Sequence, residues 1–335
     1  MEAIALICDA QRRFTLEPVL LPEPGPDQIA VRVRWSGVSI GTEFALIRNK
    51  ISWGPYPLCT GYQGVGVVEA AGDAVQGLAI GDTVYFRGCD AMQIASGQRV
   101  SCVSGTHASR VVLRPHTTHG AALLPAGAPE DAASLFVMPS VALHGVDMAQ
   151  PRVGETVAVH GCGLIGLGVV AECARRGCRV IGIDVHARPL ALALELGADA
   201  VIDASARDLG EAMRAVSPDG ADVVFEATGI PACVDTAIAL CKPGATFVWQ
   251  GNYGEAPLSM RFLPAHWRQI RMVFPCDDGL QPCRQAVTRN MASGALPWGR
   301  VITHRVDHEG APEMFARIDA GADPDIVGVV IRWSE

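Results

Sequence analysis

The amino-acid sequence predicts an α/β protein with two domains, one a doubly wound parallel sheet and the other rich in β-strands. From about residue 148 onward, short apolar runs alternate with segments of helical apolar spacing, a pattern typical of a parallel sheet that helices cover on both faces. The first 145 residues instead contain short β-type runs separated by turn residues, as expected for a barrel-like β domain.

The first domain is predicted from runs that are bounded by Gly, Pro or Asp, as strands joined by turns are. The clearest runs are 28–39, 64–72, 82–88 and 109–115. The tail returns to this style in 299–306 and 325–333. We therefore expect a discontinuous first domain, comprising 1–147 and 276–335, and a second domain at 148–275.

The second domain is predicted from apolar strands that alternate with helices. The strands are expected at 155–161, 179–185, 200–203, 221–229, 245–251 and 271–275. The helix predicted at 164–177 ends at Gly177, and the helix predicted at 188–197 has Pro189 in its first turn and ends at Gly197.

Composition and charge narrow the classes of function. The 335-residue chain has a net charge of −8 and no long run of Lys or Arg, which argues against a nucleic-acid partner because phosphate binding needs a basic face. No apolar stretch reaches the roughly 18 residues that a membrane span needs, and the N-terminus has no signal-peptide pattern. We expect a small-molecule substrate and no membrane partner.

The cysteines indicate a reducing compartment. The 11 cysteines are scattered from Cys8 to Cys283 and form no CxxC pair. Cys89 and Cys102 are too far apart in sequence for half of a zinc knuckle. This pattern is typical of buried, reduced thiols in a cytoplasmic protein.

A glycine motif marks the junction between the first strand and the first helix of the second domain. Strand 155–161 runs into GCGLIG, where Leu164 and Ile165 separate the last two of the glycines Gly161, Gly163 and Gly166. In the G-x-G-x-x-G spacing the first glycine permits a tight turn, the second lets the backbone approach a pyrophosphate, and the third lets helix and strand pack closely. The helix N-terminus then offers N–H donors to the phosphates, so the motif predicts a Rossmann domain that binds a dinucleotide.

Asp184 ends the second strand of this domain, 23 positions after Gly161. A carboxylate at this point accepts hydrogen bonds from the adenosine ribose and repels a 2′-phosphate, which favours NAD(H) over NADP(H). Arg188 argues for NADP(H) instead, because an arginine can accommodate the 2′-phosphate. We expect Arg188 to lie within the following helix, however, which favours NAD(H).

The order of these parts resembles the medium-chain dehydrogenase/reductase superfamily over essentially the whole chain. The segments that carry the resemblance are SGVSIGTE (36–43), GYQGVGVVEAAGDAV (61–75), GDTVYF (81–86), VAVHGCGLIG (157–166), IDVHARPLALALELGADAVID (183–203), FEATG (225–229) and LCKPGATFVWQG (240–251). The resemblance implies a GroES-like catalytic domain and a Rossmann domain, with the reaction in the cleft between them.

The zinc-ligand positions of that superfamily are altered here. Its zinc-dependent members carry C-G-[ST]-[DE] and then G-H-E, followed by a third ligand, whereas this chain has Ile40, then Tyr62 beside Gln63, and a residue near Val137. Aliphatic side chains cannot bind zinc, and a phenol or an amide is a poor substitute for thiolate or imidazole. The four-cysteine structural lobe is also missing, so the chain resembles a zinc-independent branch. Three other histidines, His107, His116 and His119, have a spacing that matches no metal motif. We expect them to be solvated or to lie at the edge of the core.

Without zinc, side chains must handle the proton of the alcohol. The resemblance implies that Thr42 passes a proton between substrate and cofactor ribose, and that Glu43 occupies the acid position. Tyr62 can donate to a carbonyl, and Gln63 can orient the substrate through its amide. Two alternatives stay open: Tyr62 packs at a barrel corner, and Glu43 pairs with Arg48 or another nearby cation.

Further candidates lie near the expected cofactor and substrate. His144, in a segment that borders the nicotinamide in relatives, is either an acid–base group or a helix packing residue. Trp53 and Tyr56 lie where the family places a substrate-facing loop, and they either line the pocket or pack in the core. Cofactor contacts at the carboxyl ends of strands are expected from Thr228, Gly251, Asn252 and Tyr253.

We therefore predict hydride transfer between NAD(H) and a secondary alcohol or ketone of cyclic, polyol or aromatic type. SGVSIGTE followed by GYQ is most similar to the bacteriochlorophyllide dehydrogenases, and the nucleotide half also resembles sugar and cyclitol dehydrogenases.

Two alternative functions stay open. One is a C=C reductase of the enoyl or quinone type, although Ser39 replaces the Asn of that group. The other is a non-catalytic dinucleotide-binding protein. Members commonly form dimers or tetramers, with strand 245–251 as the candidate two-fold interface.

Overall fold

The computed structural model describes residues 1–51, 54–206, 208–321 and 323–334. The chain divides into two compact units, Met1–Phe136 with Thr288–Glu335, and Val137–Val287. The boundaries expected from sequence, at 147/148 and 275/276, differ from these. The helix that begins at Val137 packs on the helix after the glycine motif, since a Cβ placed on Gly168 would lie 2.6 Å from the Cβ of Ala142.

The first unit is built mainly of strands. In chain-order numbering they are β1 (Glu2–Cys8), β2 (Phe14–Leu20), β3 (Ile29–Val38), β4 (Leu58–Cys59), β5 (Gly64–Ala71), β6 (Thr83–Phe86), β7 (Met92–Ile94), β8 (Arg99–Cys102), β9 (Arg110–Leu113), β10 (Ala121–Leu123), β17 (Ile302–Asp307) and β18 (Gly328–Arg332). Strands β1, β2, β7, β8 and β4 close into a barrel, and a second sheet has the order β10-β6-β5-β3-β18-β17 with β9 also paired to β3. The C-terminal strand β18 pairs with β3, so the tail is part of this unit.

Helix α1 (Ile40–Ile47) follows β3 directly and carries several candidate residues. Its residue Phe44 is buried, and the ring lies 5.4 Å from that of Phe315 on α10 (Ala311–Ala320). This aromatic contact fixes the inner face of α1, and Thr42, two residues earlier, stays half-buried. A short helix, α2 (Glu130–Ala133), lies near the end of the first segment of this unit.

The second unit is a parallel sheet with helices. Its strands are β11 (Thr156–His160), β12 (Arg179–Asp184), β13 (Ala200–Asp203), β14 (Ala221–Glu226), β15 (Cys241–Trp249) and β16 (Arg271–Val273). Its helices are α3 (Val137–Ala149), α4 (Leu164–Arg175), α5 (Ala187–Glu195), α6 (Leu209–Val216), α7 (Val234–Ala239), α8 (Phe262–Trp267) and the start of α9 (Leu280–Ala292). The strand order β13-β12-β11-β14-β15-β16 is that of a Rossmann fold.

The predicted fold class is confirmed in this unit. The strands expected from sequence are all present, and the successive residues Val157, Ala158 and Val159 of β11 are each fully buried. Burial of neighbouring residues means that both faces of the strand are covered, as a continuous apolar run predicts. None of the helices in the described part of the chain is both long and apolar enough to cross a bilayer.

Candidate active site

Tyr62 lies in a tight turn between β4 and β5. The preceding residue, Gly61, has φ of +89°, and a Cβ there would lie 2.5 Å from Oγ1 of Thr106. Only glycine fits this position without displacing its neighbours. The turn brings the hydroxyl of Tyr62 to the start of α1, where it donates a 2.6 Å hydrogen bond to Oγ of Ser39.

The groups around Tyr62 shift the pKa of its hydroxyl in opposite directions. Burial raises the pKa of Tyr62 above its usual value of 10, whereas hydrogen bonding with Ser39 and Thr42 lowers it. Among the charged groups, Glu43 raises this pKa and Arg87 lowers it. The net pKa is raised, so Tyr62 is a neutral phenol near pH 7 and can act as a hydrogen-bond or proton donor.

Arg87 and Ser39 also belong to this cluster, although their sequence positions did not predict a site role. The guanidinium carbon of Arg87 lies 5.5 Å from the centre of the Tyr62 ring, and Ser39 is the N-cap residue of α1. A sequence signal existed for Arg87, because a charged residue at the end of the apolar run TVYF is unusual.

Glu43 points into the interior, which favours the alternative of a structural role over that of a catalytic acid. It is fully buried, and Oε1 accepts a 2.7 Å hydrogen bond from the N–H of Ser39, the N-cap residue of α1. Its Oε2 lies 2.8 Å from both Oγ1 of Thr60 and Nε2 of His107. The structural alternative, a pairing of Glu43 with Arg48 or another nearby cation, is met by a different partner. Arg48 pairs with Asp319 at 2.9 Å, and His107 lies beside Glu43 instead.

His107 is therefore a core residue rather than a solvated one. It is fully buried, and its Nδ1 lies 2.8 Å from Oγ of Ser36, which accepts a 2.8 Å hydrogen bond from Nε1 of Trp333. His116 and His119, which were expected to be solvated or at the core edge, are exposed. The chain from Trp333 through Ser36 and His107 to Glu43 forms a buried polar network behind the N-terminus of α1.

The remaining candidates of the first unit differ in position. The side chain of Gln63 is completely buried, which argues against an amide that faces a substrate. Tyr56 packs against the barrel core and donates a 2.9 Å hydrogen bond to the carbonyl of Ile47, which favours the packing alternative. Trp53 lies outside the described residues.

The glycine motif of the second unit forms an open cradle at the N-terminus of α4. Gly161 has φ of +95°, and a Cβ on Gly166 would lie 1.9 Å from the carbonyl oxygen of Gly161. Gly163 is the N-cap residue, and no atom lies within 4 Å of the place where its Cβ would be. The backbone at Gly163 can therefore be approached closely by a phosphate, as the spacing predicts. Leu164 and Ile165 form the first turn of α4.

Asp184 lies beside this cradle at the end of β12. One carboxylate oxygen accepts a 2.8 Å hydrogen bond from the N–H of Cys162, and the other accepts bonds of 2.8 and 3.0 Å from the N–H groups of Val185 and His186. These bonds fix the carboxylate next to the glycine turn. Arg188 lies in α5, as expected, and its Nη1 is 4.0 Å from Glu195.

The ends of β14 and β15 meet at a second acidic group, Glu226, whose role was not predicted from the sequence. Glu226 is fully buried and accepts hydrogen bonds from the hydroxyls of both Thr228 and Tyr253. Its Oε1 lies 3.9 Å from Nδ1 of His160, at the end of β11. Thr228 and Tyr253, both expected at the cofactor, thus share one carboxylate at the carboxyl edge of the sheet, where Rossmann folds bind their ligands.

Two glycines allow these loops to approach each other. A Cβ on Gly251 would lie 2.5 Å from the nitrogen of Gly229, so neither loop tolerates a larger residue there. Asn252 follows, and its side-chain oxygen accepts a 2.8 Å hydrogen bond from the N–H of Gly254. His144 is half-buried on α3, with the loop at Gly279 packed closely against its Cβ.

The fold and these two groups of residues define an oxidoreductase that binds a nicotinamide dinucleotide. Two family profiles match the chain: "Alcohol dehydrogenase GroES-like domain" at residues 25–125 and "Zinc-binding dehydrogenase" at residues 165–292. The L-threonine 3-dehydrogenase of Rhizobium rhizogenes is 31% identical, with 93% of this chain and 94% of the relative covered. The chain belongs to the medium-chain dehydrogenase/reductase superfamily, within its alcohol dehydrogenases, and acts on the CH–OH group.

Other relatives cover nearly the whole chain. The 2-desacetyl-2-hydroxyethyl bacteriochlorophyllide A dehydrogenase of Cereibacter sphaeroides is 26% identical over 99% of both chains. Among solved structures, a zinc-binding dehydrogenase from Sinorhizobium meliloti, bound to NADP, has a TM-score of 0.85 at 26% identity and covers 99% of both chains.

Proposed function

We propose that this enzyme interconverts a secondary alcohol and a ketone with NAD(H), without zinc, and that Tyr62 exchanges the proton. The observation that supports this most directly is the bond from the Tyr62 hydroxyl to Ser39, at the sequence position where zinc-type relatives carry a histidine ligand. The substrate class is a cyclic, polyol or aromatic alcohol.

The residues at the zinc positions do not fit a zinc ion. Ile40 and Val137 offer no donor atom, and the Tyr62 phenol stays protonated because burial raises its pKa. Within the described ranges, no three His, Cys, Asp or Glu side chains are grouped as metal ligands would be. We therefore assign no step to a metal.

The proton is handled by hydroxyl groups. The bound nicotinamide supplies or accepts the hydride. When a ketone is reduced, the carbonyl oxygen gains a proton as its carbon gains the hydride, and the neutral phenol of Tyr62 donates that proton. Ser39 accepts from Tyr62 and stabilises the phenol in one rotamer, and solvent returns the lost proton. The reverse sequence oxidises an alcohol.

Asp184 supports NAD(H) as the cofactor. Its carboxylate is fixed by three backbone N–H groups beside the glycine turn, where it faces the expected ribose and would repel a 2′-phosphate. The related structure with NADP bound makes the choice of cofactor a necessary measurement.

A metal determination combined with a substrate panel tests the proposal. Purified enzyme is dialysed against a chelator and then assayed by nicotinamide absorbance, with NAD⁺ and NADP⁺. The panel contains L-threonine, 2,3-butanediol, benzyl alcohol, a hydroxyethyl-substituted macrocycle and an enone. We expect chelator-resistant oxidation of a secondary alcohol and a loss of about 100-fold in turnover in Tyr62→Phe. Stoichiometric zinc whose removal abolishes turnover would refute the zinc-free mechanism, and activity on the enone alone would favour a C=C reductase.

We also infer a cytoplasmic homodimer or homotetramer. The compartment is inferred from the cysteines, because all 11 are free thiols, as in a reducing compartment.

The oligomeric state is inferred from one edge of the parallel sheet. In the described sheet β16 is an edge strand, and the nearby Trp267 and Phe274 are 71% and 65% exposed. An edge strand beside exposed aromatic residues is suited to pairing with a second copy. In light scattering, Phe274→Asp should dissociate the assembly, whereas Ile80→Asp, at a residue 70% exposed in the first unit, should not. A monomeric wild-type protein would refute the inference.

A further inference from the structure

Arg87 is held next to Tyr62 by the register of two strands. Phe86, the last residue of β6, pairs with Gly64 at the start of β5, so Arg87 continues the ladder toward the turn that contains Tyr62. The N–H of Arg87 donates a 3.1 Å hydrogen bond to the carbonyl of Gly120, which fixes the backbone on the other side. The residue is only 8% exposed, which is rare for an arginine.

The guanidinium group contacts Tyr62 in two ways. Its carbon lies 5.5 Å from the centre of the Tyr62 ring, within the range of a cation–π contact. Its Nε lies 3.4 Å from the carbonyl oxygen of Tyr62, to which it donates a hydrogen bond. Both contacts hold the positive charge beside the phenol ring in a setting where bulk water screens it little.

The charge of Arg87 acts against two other influences on Tyr62, which are its burial and the carboxylate of Glu43. Burial and the nearby carboxylate of Glu43 favour the neutral phenol, whereas the hydroxyls of Ser39 and Thr42 and the charge of Arg87 favour the phenolate. A proton donor must lose its proton and regain it in each cycle, so a phenolate without support in this buried site would slow turnover.

We propose that Arg87 is a positioning residue that stabilises the phenolate of Tyr62 after Tyr62 has given its proton to the substrate oxygen. This role rests on the proposed function of Tyr62. In the step, the O–H bond of Tyr62 breaks, its proton bonds to the substrate oxygen, and the electron pair stays on the phenol oxygen of the ring that the guanidinium group contacts. Water then returns a proton to the phenolate.

The proposal is tested by titrating position 62 directly. A fluorinated tyrosine, which is more acidic than tyrosine, is incorporated at position 62 by amber suppression, and its ¹⁹F resonance is followed against pH. Arg87→Met should raise the pKa of this residue by about one unit or more, as expected for loss of a charge at this distance. Arg87→Lys, which keeps the charge, should restore most of the difference. Arg99→Met, at an exposed arginine on β8, is the matched control and should leave the pKa unchanged.

Two results would overturn the proposal. The first is an equal pKa of the residue at position 62 in Arg87→Met and in Arg99→Met. The second is a rise of this pKa in Arg87→Lys that is as large as the rise in Arg87→Met. That result would mean that the packing of Arg87, and not its charge, sets the pKa. Circular dichroism checks that each variant is folded, and Arg87→Lys provides the comparison if Arg87→Met is not. Turnover of Tyr62→Phe is measured in parallel. Wild-type turnover there refutes the role of Tyr62, whereas the titration alone reports on Arg87.

Discussion

The hydroxyl of Tyr62 donates a 2.6 Å hydrogen bond to Oγ of Ser39, which is 23 positions earlier in the chain. Because Ser39 is also the N-cap residue of α1, the bond joins the turn after β4 to the start of that helix. In the mechanism proposed above, this pair of hydroxyls takes the place of a polarising cation, and removal of the Ser39 hydroxyl has a measurable consequence.

Removal of the Ser39 hydroxyl should lower turnover more than it lowers stability. Ser39→Ala deletes the acceptor that holds the Tyr62 phenol in one orientation, so we expect kcat to fall about 10-fold with a smaller change in KM. Steady-state kinetics measure this, with Ser96→Ala, at an exposed serine before the turn of Gly97, as the control. Equal kcat values in the two variants would show that the bond has no part in turnover.

Loss of the carboxylate of Glu43 should destabilise the protein. In Glu43→Gln one oxygen becomes an NH₂ group that faces N–H or O–H donors from Ser39, Thr60 or His107, and a buried donor is left unsatisfied. We expect the free energy of unfolding in urea to fall by about 1–3 kcal/mol. Glu309→Gln, at a side chain 71% exposed, should change it by less than about 0.5 kcal/mol. A similar small change in Glu43→Gln would contradict the structural role of this network.

The charge of Asp184 should set the choice of cofactor. Asp184→Asn keeps the shape and most hydrogen bonds to the backbone but removes the repulsion of a 2′-phosphate, so the ratio of kcat/KM for NAD⁺ to that for NADP⁺ should fall about 10-fold or more. Asp199→Asn is a suitable control, because Asp199 accepts a 2.8 Å bond from the N–H of Val180 near the opposite end of β12. If both variants keep the wild-type ratio, Asp184 does not contact the ribose.

His160 should make the protein less stable in mild acid. Burial lowers the pKa of His160 below its usual value of 6.5, although Glu226 and Asp184 act in the opposite direction. The unfolded chain regains the usual pKa, so it binds more protons than the folded protein between the two values, and stability falls as the pH decreases through about 6.5. His160→Gln should flatten this decline when urea unfolding is compared from about pH 8 to about pH 5. The exposed His116→Gln serves as the control, and an unchanged slope in His160→Gln would assign the decline to other groups.

Local patterns predicted the nucleotide-binding unit well because its signals lie within short segments. The strands β11 to β16 are apolar runs, and Gly161, Gly163 and Gly166 act through backbone geometry that their spacing specifies. The barrel-like character of the first unit was predicted, but its strands β7 and β8 were not, since they have only three and four residues and acquire their strand conformation from pairing with distant parts of the chain.

The sequence by itself determined the two-domain fold, the dinucleotide motif and the replacement of the zinc ligands, because these depend on residue type and spacing along the chain. Only the tertiary structure decided that Tyr62 contacts Ser39, that Arg87 lies over the same ring, and that Glu43 pairs with His107 in the core. These contacts join residues 23, 25 and 64 positions apart. Whether a polar side chain faces a cleft or the interior depends on which strands pair around it, and no local pattern contains that information.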